Sequence, residues 1–239
     1  MEKTKSTEQK IDFNEISLFE TPVGRIVQMQ HLDILLKKPG YSDKHSSYIS
    51  KVNDALYNLS HSFWDITLII KLIRFAHPKI KSFKMTRVDR GEFLKYNFEN
   101  YFFRVPKLKD QVIQLLNVIY QMDYEQNLAL EKRVKNHPKI QGNNFYHFID
   151  YFDAVLKDMV NIRHRIAHRG DLQDQRLAML GAYSLVEIDK ELYDLEASMI
   201  VAKSNIFEKN QAILKEAVVR VLSMLENDFN LELALISES

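Results

Sequence analysis

Apolar residues recur at intervals of three and four along most of this chain, which is the spacing of one face of an α-helix. Between residues 49 and 73 this spacing is unbroken, and it predicts a helix of about seven turns. The positions that share this face are Ile49, Val52, Leu56, Leu59, Phe63, Ile66, Ile70 and Ile73. One apolar stripe on so long a helix is typical of a helical bundle.

Three further stretches have the same spacing. Residues 94–122 form the second, where Asp89 and Glu92 supply a capping signal and Pro106 predicts a kink or split near Arg104. Residues 145–166 form the third, which ends at Gly170, and residues 185–225 form the fourth, which follows Ser184. With a shorter outer helix at 23–37, these stretches predict an all-α fold, an elongated antiparallel four-helix bundle with additional short helices.

Composition agrees with this fold class. The chain has 239 residues, 46% hydrophobic, with 6 glycines and 5 prolines, too few for the frequent turns of a β-sandwich or barrel. We expect a flexible N-terminus over residues 1–20 and a single helical domain over residues 21–239. The absence of cysteine excludes disulfides and thiolate metal sites. The polar start and the lack of a long apolar run predict a cytoplasmic protein without a membrane segment.

The net charge of +1 conceals an uneven distribution along the chain. Residues 71–109 contain 11 Lys and Arg against 3 Asp and Glu, whereas residues 185–239 contain 5 against 11. Such a basic stretch can bind a polyanion such as RNA, although a solvated surface is the simpler interpretation.

The most informative segment is residues 163–170, Arg-His-Arg-Ile-Ala-His-Arg-Gly, at the end of the third helix. On a helical wheel Arg163 continues an apolar line that contains Leu156 and Met159. A guanidinium in such a position needs a carboxylate, a neighbouring chain or a bound anion. An ion pair within the same chain is the simplest alternative.

His164 and His168 are four residues apart, so their rings project together toward solvent or a groove. Histidines at this spacing can hold a metal, but the surrounding arginines and the absence of cysteine disfavour zinc. Another explanation of these positive charges is their favourable interaction with the negative end of the helix dipole at the C-terminus. This explains Arg169 and His168 but not Arg163.

Arg163, the polar residue after it and His168 resemble the R-x(4-6)-H motif of the HEPN superfamily (higher eukaryotes and prokaryotes nucleotide-binding). The resemblance covers residues 45–225 as a helical layout. A second pair with a permitted spacing, Arg25 and His31, has apolar Ile26 after the arginine. The resemblance implies a helical bundle that often acts as a metal-independent ribonuclease, and a symmetric dimer whose two motifs face each other. It assigns no acidic partner to Arg163.

The chemistry that this resemblance implies needs no cofactor. RNA cleavage without metal requires proton transfer and a cation at the phosphate. We assign the proton transfer to His168, charge stabilisation to Arg163, and an assisting or orienting role to His164. The expected substrate-binding residues are Arg165, Arg169, Lys71, Arg74 and Arg104. Tyr96 and Phe103 are candidates for stacking on bases, unless they belong to the core.

Three functions remain open from the sequence. The first is an endoribonuclease that acts on single-stranded RNA or tRNA loops, as a toxin or defence component with an antitoxin partner. The second is a non-catalytic HEPN-like module that binds a nucleotide, nucleic acid or protein. The third is an unrelated helical scaffold in which the motif is a coincidence.

Overall fold

The structure is a computed structural model that describes residues 17–75, 90–169, 177 and 190–237. Within these ranges the chain is helical and contains no strand, so the predicted all-α class is confirmed. The buried apolar side chains of these helices form one contiguous cluster. No helix in the same ranges is long and apolar enough to cross a membrane.

The first part of the fold is built around one long helix. A turn of 3-10 helix at Leu18–Glu20 precedes α1, Pro22–Leu35, and α2 follows as Asp43–Phe75. The helix predicted at 49–73 is therefore confirmed and extends further at both ends. Leu18 is buried, so the packed part of the chain begins inside the segment expected to be flexible, of which residues 1–16 lie outside the described ranges.

The second apolar stretch forms two helices, as Pro106 predicts. α3 is Arg90–Arg104 and α4 is Lys107–Ile119. Proline has no backbone N–H to continue the ladder, and the amide of Leu108 instead bonds the carbonyl of Val105 at 3.1 Å. Both helices pack on α2, and the capping residue predicted at Asp89 lies outside the described ranges.

The remaining chain contains the third and fourth predicted helices and three short helices whose positions the four apolar stretches do not predict. α5 is Leu130–Lys135, α6 is Pro138–Gly142, and α7 is Phe145–Arg169. α8 runs over Lys190–Met224 and α9 over Glu226–Ser237. Gly170 and Ser184, the predicted end of α7 and cap of α8, lie outside the described residues.

Two sets of contacts join α7 and α8 to the helices that pack on α2. α7 packs against α3 and α4, which in turn pack on α2, so α4 lies between α2 and α7. α8 is held against α3 by an aromatic cluster in which the rings of Tyr101 and Phe207 stack 3.9 Å apart. Arg163, near the end of α7, lies close enough to Asp110 in the first turn of α4 for their charges to interact.

Candidate active site on α7

Arg163 lies on the inner side of α7 near its C-terminal end. The neighbouring positions on that side, Met159 and Ile166, are buried, and Arg163 itself is half-buried. The helical wheel predicted this continuation of an apolar line into a charged residue. The aliphatic part of the side chain can pack along the apolar line while the guanidinium reaches toward the surface.

Asp110, in the first turn of α4, is the acid whose charge interacts with Arg163. Desolvation by the surrounding protein raises the pKa of Asp110, while the positive charges of Lys109 and Arg163 oppose that shift. Lys109 itself is engaged by Glu131 at 2.8 Å and Asp153 at 2.6 Å. Among the ion pairs formed between described residues, none involves Arg163. The guanidinium is thus near a carboxylate without forming an ion pair with it.

His164 and His168 lie on the outer side of α7, and both are exposed. Their ring centroids are 6.5 Å apart and the ring planes differ by 24°. The spacing of four residues places one ring above the other along the helix, as predicted. The described residues contain no cluster of three or more potential metal ligands, here or elsewhere. Two imidazoles and a guanidinium therefore share the end of one helix.

A family model described as Cthe2314-like HEPN matches residues 48–217 of the 239-residue chain. The chain belongs to the HEPN superfamily. The match contains α7 entirely, together with α3 and α4, on which the end of α7 packs. The superfamily resemblance seen in the sequence is confirmed. Neither the curated proteins nor the solved structures provide a match to this chain.

The other predicted site residues of this HEPN protein lie on three helices. Arg165 is exposed beside the histidines, and Arg169 is the last residue of α7. Lys71 is exposed on α2. The structure therefore brings Arg165 and Arg169 together with the catalytic candidates on α7 and places Lys71 on a separate helix.

Arg74 and Arg104 are engaged by acidic residues of the same chain. Arg74 pairs with Glu208 of α8 at 2.6 Å and also donates to Ser204 at 3.1 Å. Hydrogen bonding to Glu208 raises the pKa of Arg74 and lowers the pKa of Glu208. Arg104 pairs with Asp65 of α2. These two arginines link neighbouring helices, so they could bind RNA phosphates only if their ion pairs with Glu208 and Asp65 were broken.

The two aromatic candidates differ in exposure. Tyr96 is 63% exposed on α3, whereas Phe103 is partly buried against the core. Tyr96 is therefore available for stacking on a base, whereas Phe103 belongs largely to the core.

Proposed function

We propose that this HEPN protein is a metal-independent endoribonuclease that cuts single-stranded RNA or tRNA loops. The observation that carries the proposal is the arrangement at the end of α7, where half-buried Arg163 accompanies two exposed, nearly parallel imidazoles. This group supplies the proton-transfer residue and the cation that phosphodiester cleavage requires.

The proposed reaction is a transesterification that needs only the RNA and these side chains. A neutral imidazole accepts the proton of the 2′-hydroxyl as the 2′-oxygen bonds to phosphorus. The bond from phosphorus to the 5′-oxygen breaks, and a protonated imidazole donates a proton to that leaving oxygen. His168 carries the proton transfer and His164 assists or orients the phosphate, while the forked donors of Arg163 stabilise the additional negative charge. The products are a 2′,3′-cyclic phosphate and a free 5′-hydroxyl.

A second copy of the chain completes the proposed site. On a regular helix Arg163 and His168 are separated by about 140° around the axis and about 7.5 Å along it. One chain therefore directs these two side chains to different sides of α7. A symmetric dimer with its two α7 ends facing each other would place Arg163 of one chain opposite His168 of the other.

The alternative function is a non-catalytic module that binds a nucleotide, nucleic acid or protein. One observation favours it: Asp110 lies close enough for the positive charge of Arg163 to act on the pKa of its carboxyl group, so a bound phosphate is not the only negative group near this arginine. Under the nuclease proposal, Asp110 instead holds the guanidinium in position between substrates. For the nuclease we further propose a toxin or defence role in the cytoplasm, restrained by an antitoxin.

RNA cleavage in excess EDTA separates the two functions. The wild-type protein should cut a single-stranded RNA and leave cyclic phosphate ends, and His168→Ala should lower the rate at least about 100-fold. The matched control is His147→Ala, because His147 is an exposed histidine on the same helix. Binding without cleavage by the wild-type protein would support the module, and equal cleavage by His168→Ala would remove the proposed site.

A further inference from the structure

The solvent side of α2 carries a row of exposed aromatic rings. Tyr57 is 57% exposed and Trp64 is 59% exposed, and the exposed ring of His61 lies between them. The ring centroids are 6.0 Å apart from Tyr57 to His61 and 5.6 Å apart from His61 to Trp64. Large aromatic side chains usually bury their area, so a row of three rings open to solvent marks a contact surface. We call Tyr57, His61 and Trp64 the aromatic row.

The aromatic row adjoins the side of α2 that contacts α3 and α4. His61 Nδ1 lies 3.6 Å from Asp65, and Asp65 also pairs with Arg104 at the end of α3. One turn earlier on α2, the carbonyl of Asn58 accepts a hydrogen bond of 3.3 Å from Gln111 of α4. The row thus lies beside the first turn of α4.

That first turn of α4 connects the aromatic row to the candidate active site. Gln111 faces α2, and the preceding residue, Asp110, interacts with the charge of Arg163 on α7. Packed helices have axes about 8–10 Å apart, so α2 and α7 lie at most about 20 Å apart across α4. A single strand bound at Arg163 can cover this distance with a few nucleotides.

We propose that the aromatic row stacks the bases of a single-stranded RNA whose scissile phosphate lies at Arg163. This inference rests on the proposed nuclease function and names the surface that holds the rest of the substrate. Aromatic faces stack on any base, and cations beside them hold the backbone. Lys71 is exposed on α2 and Lys107 is exposed in the first turn of α4, so the local charge complements phosphate.

Intrinsic fluorescence tests the stacking directly, because Trp64 is the only tryptophan of the chain. The full-length protein is titrated with a 2′-O-methyl RNA of about 12 nucleotides, which is within the site sizes of single-strand binders and cannot be cleaved. Binding is followed in parallel by the anisotropy of a labelled copy. We expect saturable quenching that matches the binding curve. Unchanged emission at saturation would overturn the proposal.

Variants identify the kind of contact. Trp64→Ala should weaken binding of the oligonucleotide about 10-fold, as expected for the loss of one stacked base, and Trp64→Phe should restore most of it. Tyr151→Ala is the matched control, since Tyr151 is 44% exposed on α7, and its affinity should not change. Leu68→Ala tests the alternative that this side of α2 binds a protein, because Leu68 is 40% exposed there and an aliphatic side chain does not stack on bases. An equal loss in Leu68→Ala, or a changed sedimentation mass of Trp64→Ala, would contradict RNA stacking.

Two further measurements separate this inference from the nuclease proposal. His168→Ala should abolish cleavage of RNA and retain the quenching of Trp64. Trp64→Ala should cut a dinucleotide, which is too short to reach α2, at the wild-type rate. If RNA quenches Trp64 but the wild-type protein cuts no unmodified RNA, the nuclease proposal is refuted and the aromatic row remains supported. If the wild-type protein cuts RNA without quenching of Trp64, only the proposal for the aromatic row is refuted.

Discussion

Replacement of Arg163 by leucine should remove RNA cleavage while leaving the protein about as stable as before. The position continues a buried line between Met159 and Ile166, so an apolar side chain fits it. Full burial of a leucine contributes about 1.5–3 kcal/mol, and the half-buried position would give about 1 kcal/mol. The lost attraction to Asp110, an exposed residue, offsets about 0–1 kcal/mol of this gain.

The expected net change in the free energy of unfolding is therefore within about 1 kcal/mol, which corresponds to a shift in Tm of at most about 4 °C for a domain of this size. Cleavage should fall about 1,000-fold, because a preorganised donor to the transition state is lost. Urea denaturation and single-turnover cleavage in EDTA measure the two effects. The control is Lys157→Leu, which removes an exposed cation of the same helix that has no assigned role in the site. A loss of stability above about 3 kcal/mol would show that Arg163 is half of a structural ion pair, and unchanged cleavage would refute its catalytic role.

Two further predictions concern stability. His45 is buried, its Nε2 donates a hydrogen bond of 2.9 Å to the amide oxygen of Gln30, and burial lowers its pKa. Neutral His45 therefore contributes stability above pH about 6.5, and this stability is lost as the pH falls toward the lowered pKa. The difference between the Tm at pH about 7.5 and the Tm at pH about 5.5 should thus be smaller in His45→Gln than in the wild-type protein. The same difference in both proteins would contradict this prediction. Glu232 of α9 is 6% exposed and pairs with Lys139. Glu232→Ala should therefore lower the free energy of unfolding by about 1–3 kcal/mol in urea denaturation, and the control Asn230→Ala, at an exposed position, should leave it almost unchanged. Equal losses in the two variants would contradict the role of this contact.

The long helices were predictable from the sequence because each has an uninterrupted apolar stripe. α2 and α7 follow their stripes, and the split at Pro106 follows from the missing proline amide. α5 and α6 contain 6 and 5 residues, too few to show a helical period. α9 does carry a signal, since Phe229, Leu233 and Ile236 are spaced by four and three and are buried. It was missed because it directly follows the stripe of α8.

The candidate site was predictable only in part, for a physical reason. Periodicity shows which side of a helix is buried, and this predicted the half-buried position of Arg163 and the exposed histidines. It does not show which helices are neighbours. The proximity of Asp110 to Arg163 and the ion pair between Arg74 and Glu208 join segments distant in sequence, so neither could be predicted from spacing. The same applies to the aromatic row, whose relation to the site depends on the packing of α4 between α2 and α7.

Subunit mixing tests most directly whether Arg163 and His168 act on one phosphate from two chains. Arg163→Leu and His168→Ala, each inactive alone, are unfolded together, refolded as an equal mixture and assayed on RNA in EDTA. A wild-type dimer has two sites, and a mixed dimer would have one site with both native residues. Random pairing makes half of the dimers mixed, so the mixture would contain a quarter of the normal number of sites. We therefore expect recovery of about a quarter of the wild-type rate. A mixture as inactive as its components, although mixed dimers form, would contradict a site shared between chains.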